Sequence, residues 1–196
     1  MAGARRGRRP GAPDTRAAIL AAARSQFASH GVAGATIRGI AGEAGVDAAL
    51  VHHYFGSKDD LFMAAMELPV DPRQVLAPVI AAGPEGAAER FLRALLEAWD
   101  DPDLQPTLVG FVRGVLEPGG ARLLAEGFLP VVIEPVGRAL GLDRPEHRMP
   151  LVASQVIGIV MLRYVLRVEP LASMPRERLV ATYAPTVQRY LTGPLP

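Results

Sequence analysis

The chain of 196 residues contains no cysteine. Disulfide bonds, cysteine-ligated metal ions and cysteine-bound clusters are therefore excluded, and a cytoplasmic location is permitted. Lysine is almost absent, since Lys58 is the only one and arginine supplies the other basic side chains. The abundance of Arg, Ala, Gly and Pro is typical of a GC-rich genome. An arginine at a given position is therefore weaker support for a selected chemical role.

Sequence signatures of common catalytic sites are also missing. The chain has no Gly-x-Ser-x-Gly nucleophile turn, no phosphate-binding loop and no His-Glu-x-x-His zinc motif. An enzyme needs a nucleophile with a base, or an acid pair, placed in a pocket. His147 lies in a Pro/Arg-rich segment without an evident partner. We therefore expect no enzymatic activity and no cofactor.

Long uninterrupted apolar runs are scarce as well. No apolar segment follows the N-terminal arginines, so a signal peptide is not predicted. The most apolar stretch, residues 151–168, is interrupted by Gln155, Arg163 and Arg167. A charge at mid-membrane costs about 2.5–3.5 kcal/mol on insertion scales. We therefore expect a helix buried within the protein and no membrane contact.

The net charge of +1 is small for a nucleic-acid-binding protein, but the charge is unevenly distributed. Residues 1–60 carry eight basic and five acidic side chains, a balance of +3, and the remainder carries 13 and 15, a balance of −2. Residues 1–13 are rich in Gly, Pro and Arg, which predicts a disordered basic arm. That arm either contacts DNA or is a tail shaped by codon usage alone.

Helical spacing and helix punctuation recur along the chain, and strand alternation persists nowhere, so the predicted fold class is all-α. Four helices are predicted in the N-terminal part: residues 15–30, 37–44, 48–55 and 58–68. Each follows a side chain suited to capping a helix N-terminus: Asp14 or Thr15, Thr36, Asp47 and Ser57. Gly31 stands where a left-handed residue commonly ends a helix.

A proline-rich break at residues 69–72 marks the predicted domain boundary. The predicted organisation is a basic arm (1–13), a DNA-binding domain with its connecting helix (14–68), and a helical effector-binding and dimerisation domain (69–196). Helices are expected in the last part at about residues 73–82, 84–99, 103–116, 120–140, 145–168 and 175–191. Several prolines should begin or kink these helices.

Residues 36–58 have the features of a helix-turn-helix, in which two short helices cross so that the second enters a major groove of DNA. Ala41 is small where the helices must touch, and Gly45 is free to adopt a positive φ in the turn. The apolar side chains spaced for a shared core are Ile40, Val46, Val51 and Phe55.

The other side chains of the third helix are predicted to lie outside that core. They are Ala48, Ala49, Leu50, His52, His53 and Tyr54. Imidazole and phenol groups can donate to phosphates, and small alanines let a helix approach base edges. A metal site at the two histidines is not predicted, because adjacent helical side chains point about 100° apart.

This constellation closely resembles the DNA-binding domain of TetR-family transcriptional regulators. In that family Phe-x-x-x-Gly ends the first helix, and Thr-hydrophobic-x-x-Ile-Ala-x-x-Ala-Gly-Val follows. Tyr-Phe then ends the recognition helix, before Gly-Ser-Lys-x-x-Leu. This chain has the four pieces in order and in register, at residues 27–31, 36–46, 54–55 and 56–61.

The resemblance implies a homodimer that binds double-stranded DNA at a palindromic operator and carries a larger helical domain for a small-molecule effector. It places Thr36 and Arg38 where family members contact phosphate, and Lys58 at a helix N-terminus that favours phosphate. Many members have Thr or Ser near Leu50, Tyr at the position of His52 and Arg or Lys at that of His53. The bases contacted here should differ accordingly.

Six side chains of the C-terminal part are candidates for effector binding: Phe91, Trp99, Phe111, Met161, Arg163 and Tyr164. The apolar and aromatic ones either line a cavity or pack in a core. Arg163, within an apolar helix, is expected to meet a ligand anion, to pair with Glu97 or Glu134, or to cross a dimer interface. By the resemblance, residues 145–168 and 175–191 form that interface; alternatively, they only cover the core of one subunit.

The predicted function is a ligand-responsive repressor, released from its operator by a small molecule. The alternative is a DNA-binding regulator without a small-molecule response, acting constitutively or as an activator.

Overall fold

The computed structural model describes residues 14–117 and 120–195. The basic arm predicted for residues 1–13 lies outside these ranges. Within them the chain forms helices, turns and loops, with no strand. The predicted all-α class is confirmed. The chain divides into two compact units, the first ending at Met66 and the second beginning at Glu67.

In the first unit, residues 14–66 form four helices around a small core. They are α1 (Thr15–Gly34), α2 (Ile37–Ala44), α3 (Ala48–Phe55) and α4 (Lys58–Met66). The inner face of α1 consists of four buried side chains: Ile19, Leu20, Ala23 and Phe27. The rings of Phe27 and Phe62 meet edge to face with centroids 5.4 Å apart, which joins α1 to α4.

The first helix is longer than predicted. The sequence places its end near His30, whereas α1 continues to Gly34 across a kink at Gly31. Gly31 has φ 70° and ψ 168°, a backbone conformation open to a residue without a Cβ. The last turn then ends with the amide of Ala35 donating to the Gly31 carbonyl at 3.1 Å. At the other end of the unit, α4 stops at Met66 rather than Leu68.

In the second unit, the described residues form seven α-helices and two π-helical segments. They are α5 (Pro72–Ala81), α6 (Ala87–Asp100), α7 (Gln105–Val115), α8 (Gly120–Leu123), π1 (Leu124–Ile133), α9 (Glu134–Ala139), α10 (Pro145–Val160), π2 (Met161–Val165) and α11 (Arg176–Thr192). Helices α6 and α11 pack against each other, and α10 packs against α11 and α9. The core between them includes Leu92, Leu96, Ile159, Leu179 and Val187.

The helix predicted over residues 120–140 is continuous, but its centre is wider than an α-helix. In π1 the amide of Glu134 donates to the carbonyl of Leu129, five residues earlier. Pro130 lies inside this segment, and a proline cannot donate to the helix and clashes with the carbonyl four residues before it. A widened turn relieves that clash, and π-helical turns are often found at functional sites.

Among the described residues, one helix is long and apolar enough, by length and composition, to cross a membrane: Pro145–Val165, which comprises α10 and π2. A third of its apolar window is buried inside the structure. The core helix of a soluble helical domain has the same length and composition, so this feature is weak support for a membrane span.

Candidate nucleic-acid interface and apolar cavity

Two capped helices and a tight turn form the helix-turn-helix. The Thr36 hydroxyl accepts from the amide of Gly39 at 3.0 Å, and the Asp47 carboxylate accepts from the amide of Ala49 at 2.7 Å. Gly45 ends α2 in the left-handed conformation, with φ 68° and ψ 33°. These contacts confirm both predicted caps and the predicted turn glycine, and they fix where α3 begins.

The interior of this motif agrees with the predicted pattern. Ile40, Ala41 and Val51 are buried, and Val46 and Phe55 are half-buried. The guanidinium of Arg16 lies 5.4 Å from the centre of the Phe55 ring, so a cation on α1 covers the end of α3. Nothing in the helical periodicity of the sequence indicates this contact, because it joins residues 39 positions apart.

The outer face of α3 presents the side chains predicted to meet DNA. Ala49, His52, His53 and Tyr54 are exposed, and Ala48 and Leu50 are half-buried. The rings of His53 and Tyr54 meet edge to face with centroids 5.7 Å apart. Thr36 and Arg38 are exposed at the start of α2. The structure therefore brings eight of the nine predicted contact residues to two adjacent helices.

His52 has one ring nitrogen committed inside the protein. Its Nδ1 lies 2.8 Å from the carbonyl oxygen of Gly56, the residue that ends α3. A carbonyl can only accept, so Nδ1 must carry the proton in this contact. In the neutral imidazole the exposed Nε2 is then a hydrogen-bond acceptor.

Lys58, the ninth predicted contact, is half-buried and is directed at the end of α1. Its ammonium donates to the carbonyl oxygens of Ala35 at 3.2 Å and Ala33 at 3.4 Å. Sequence reasoning assigned it a phosphate contact and missed this second role. An ammonium has three N–H donors, so one donor is left for a phosphate.

A further contact holds the unit together and was missed by the sequence analysis. The Gln26 amide donates to the Glu43 carboxylate at 2.7 Å, which joins α1 to α2. This bond is the leading cause of the lowered pKa of Glu43. The predicted cap of α4 is present, since the Asp60 amide donates to the Ser57 hydroxyl at 3.0 Å.

The second unit contains a partly open cavity of about 80 Å³. Helices α5, α6, α9, α10 and α11 line it together with π1, and the sixteen lining side chains among the described residues are all apolar. Of the six residues predicted to bind an effector, Phe91 lines this cavity. Phe111 reaches it only indirectly, because its ring packs 6.0 Å from that of Phe128, a lining residue.

Trp99, Arg163 and Tyr164 form a separate cluster around the carboxylate of Asp100. The rings of Trp99 and Tyr164 stack with centroids 5.1 Å apart, and the Tyr164 hydroxyl donates to Asp100 at 2.8 Å. Burial, reinforced by the neighbouring Asp100, raises the pKa of Tyr164 well above its usual value. Met161 is half-buried in π2, outside the lining of the cavity.

One of the three alternatives predicted for Arg163, an ion pair with Glu97 or Glu134, is wrong. Its guanidinium pairs with Asp100 at 3.5 Å. It also donates to the carbonyl oxygens of Leu171 and Met174, both at 2.7 Å, in the loop between π2 and α11. Asp100 accepts a further bond from Arg176 at 3.0 Å. The buried Nε of Arg163 has no hydrogen-bond partner among the described residues.

The geometry above agrees with matches to known protein families. The model described as bacterial regulatory proteins, tetR family, matches residues 19–65. The model described as tetracyclin repressor-like, C-terminal domain, matches residues 85–191, more than half of the chain. The chain belongs to the TetR family. It is thereby placed among DNA-binding transcriptional regulators, as the sequence pattern predicts.

One solved structure of a TetR-family relative aligns with nearly the whole of this chain. This is the TetR-family regulator SCO0857 from Streptomyces coelicolor, 37% identical, with 94% of this chain and 98% of that chain covered and a TM-score of 0.50. Curated relatives match a shorter part. The HTH-type transcriptional repressor SCO4008 of Streptomyces coelicolor is 38% identical over 40% of this chain and 41% of its own. The regulator BetI of Brucella anthropi is 35% identical over 44% and 52%, so the chain spans about half the length of these two relatives.

Proposed function

We propose that this TetR-family protein is a homodimeric repressor that binds a palindromic operator and is released from it by a small molecule bound in the second unit. The observation that carries the small-molecule response is the apolar cavity among α5, α6, π1, α9, α10 and α11. Ligand sites are typically concave and mostly apolar. The repressor assignment is supported by the name of the relative SCO4008.

Operator binding is assigned to the exposed ends of α2 and the outer face of α3. Thr36 and Arg38 would contact phosphates on one side of the groove, which sets the position of the protein on DNA. The residues from Ala48 to Tyr54 would face base edges, with the imidazole groups of His52 and His53 as the polar contacts. One such helix contacts only a few base pairs, and a two-fold dimer doubles the number.

Dimerisation is assigned to the helix of α10 and π2 together with α11. Large apolar side chains are exposed on α10 and just after π2: Leu151 (37%), Ile157 (42%), Leu166 (59%) and Val168 (42%). Burial of such side chains in a subunit interface removes apolar area from water. The proposed organisation is thus a DNA-binding domain over residues 14–68 and an effector-binding and dimerisation domain over residues 69–196. The proposed location of the protein is the cytoplasm.

Solution mass and DNA footprinting test the dimer. An operator duplex selected from a random library should show a symmetric footprint, with half-sites about 34–36 Å apart. Leu151→Glu should lower the mass to that of a monomer and weaken operator binding. Leu116→Glu is the matched control, because Leu116 is 67% exposed on another element. A monomeric wild-type protein with an asymmetric footprint would overturn the dimer.

Release by a ligand is tested by reciprocity. A hundredfold loss of DNA affinity needs about 2.7 kcal/mol of coupling, and operator DNA must then weaken ligand binding by the same factor. Once a ligand is known, its affinity is measured with and without the operator duplex. Equal affinities would instead support the alternative, a DNA-binding regulator without a small-molecule response.

A further inference from the structure

The wall of the cavity in the second unit offers a ligand almost no polar atom. Its lining comprises Leu, Val, Ile, Ala, Phe and Met side chains, and nearly all of the exposed wall is apolar. Asp100, Arg163 and Tyr164 are not among the lining residues, and they bond to one another in a separate cluster. The cavity therefore selects its occupant by shape and by the absence of hydrogen bonds.

Burying an unpaired hydroxyl or amide costs about 2–7 kcal/mol, and an isolated charge costs far more. A carboxylate, ammonium or phosphate group inside this cavity would have no partner. From the chemistry of this wall we infer that the effector is an uncharged hydrocarbon group, a single ring or a branched alkyl, either as a whole molecule or as the buried end of a longer one. This inference rests on the proposed function, since it names the class of ligand for that cavity.

The size of the cavity limits this group. At about 80 Å³ it is about half the volume of an engineered cavity of about 150 Å³ that binds benzene, so a ring occupies it only by extending through its open side or by displacing lining side chains. Ile157 contributes to the lining and is 42% exposed in a single subunit, so the cavity opens at the surface of α10. Four lining residues belong to the widened helix π1: Leu124, Phe128, Leu129 and Ile133.

A matched set of probes tests the charge selectivity. Toluene, benzoate and benzylammonium share one ring and differ in charge, and each is titrated against the full chain by calorimetry and thermal unfolding. Toluene should bind and raise the midpoint of unfolding, while benzoate and benzylammonium should bind at least tenfold more weakly. Benzoate or benzylammonium binding as tightly as toluene would overturn the inference, as would the failure of toluene to bind.

Variants locate the binding in the cavity. Val152 is buried in the lining, and threonine has nearly the same shape as valine but carries a hydroxyl. Val152→Thr should weaken toluene binding about tenfold and favour phenol relative to toluene. Ala153→Leu should fill the cavity and abolish binding. Ala139→Leu is the control, because Ala139 is exposed on α9 and outside the lining, and its toluene affinity should stay unchanged. Unchanged toluene binding in both lining variants would place the site elsewhere and overturn the inference.

Operator binding separates this inference from the proposed function. Fluorescence anisotropy of a selected operator duplex is measured with and without saturating toluene. Toluene binding that leaves DNA affinity unchanged would support the ligand class and contradict release by that ligand. Intact operator binding with no toluene binding would contradict the ligand class and leave DNA binding in place.

Discussion

The ammonium of Lys58, at the start of α4, lies 3.2 Å from the carbonyl oxygen of Ala35, just after α1. Lys58, which is predicted to face phosphate, thus also donates to carbonyl oxygens at the end of a helix. The last carbonyl oxygens of a helix have no partner within the helix itself. The same side chain is therefore predicted to contribute both to the folding of the unit and to its binding of DNA. Its substitution should therefore change two quantities that a purely phosphate-binding residue would not change together.

Lys58→Ala should weaken binding to every DNA sequence alike and lower the salt dependence by about one unit of log–log slope, as for one lost phosphate contact. It should also lower the free energy of unfolding by about 1 kcal/mol, because hydrogen bonds to Ala33 and Ala35 are lost. The control is Arg38→Ala, an exposed position that should lower the slope with little change in stability. A change in base preference with an unchanged slope would contradict the phosphate contact.

His52 is predicted to contact a base edge through Nε2 while Nδ1 donates to Gly56. The side-chain amide of asparagine can replace the Nδ1 donor to Gly56 but does not reach the outward position of Nε2. The amide of glutamine reaches that outward position. His52→Asn should therefore alter the preferred base at one or two positions of each half-site, and His52→Gln should alter it less. Selection from random duplexes with each variant measures this. Identical preferences for wild type and His52→Asn would exclude a base contact by this side chain.

Tyr164 should make the protein less stable at high pH. Its pKa is raised in the folded state, whereas tyrosine in an unfolded chain ionises near pH 10. The stability from the neutral hydroxyl is thus fully present below about pH 10 and is lost as the pH rises towards the folded-state pKa, by at most about 1.4 kcal/mol per pH unit. Tyr164→Phe should show a shallower alkaline loss in urea unfolding. Tyr54→Phe, at an exposed position on α3, should behave like the wild type; equal slopes in all three proteins would contradict the prediction.

Arg148 is predicted to stabilise the second unit from within. It is 4% exposed and donates to the carbonyl oxygens of Tyr190 and Gly193 at 2.9 and 3.0 Å, and to Asp143. Arg148→Met should lower the free energy of unfolding by about 2–3 kcal/mol, because the end of α11 loses its donors. Arg144→Met tests the surface pair of Arg144 with Asp143, which should contribute less to stability because both side chains are exposed. The reverse order of the two losses, measured by chemical denaturation, would refute this role.

The DNA-binding unit could be predicted closely because its signals are local. A cap such as Thr36 acts three residues away on the amide of Gly39, and the left-handed turn needs only the glycine at position 45. The spacing of Ile40 and Val51 likewise identifies the side chains that share a core. Each of these contacts joins residues within a few helical turns, so the pattern of a single sequence contains both partners.

The second unit depends on contacts between residues far apart in the chain. Arg163 and Asp100 are 63 positions apart. The helical periodicity of the sequence does not show whether Asp100 or Glu97 is the partner of Arg163. The lining of the cavity gathers side chains from residue 76 to residue 191, each of which is an ordinary core residue by itself. The sequence alone determined the helices, the caps and the family of the DNA-binding unit. The tertiary structure decided which buried charges meet and where a cavity remains, because both depend on how the helices pack against one another.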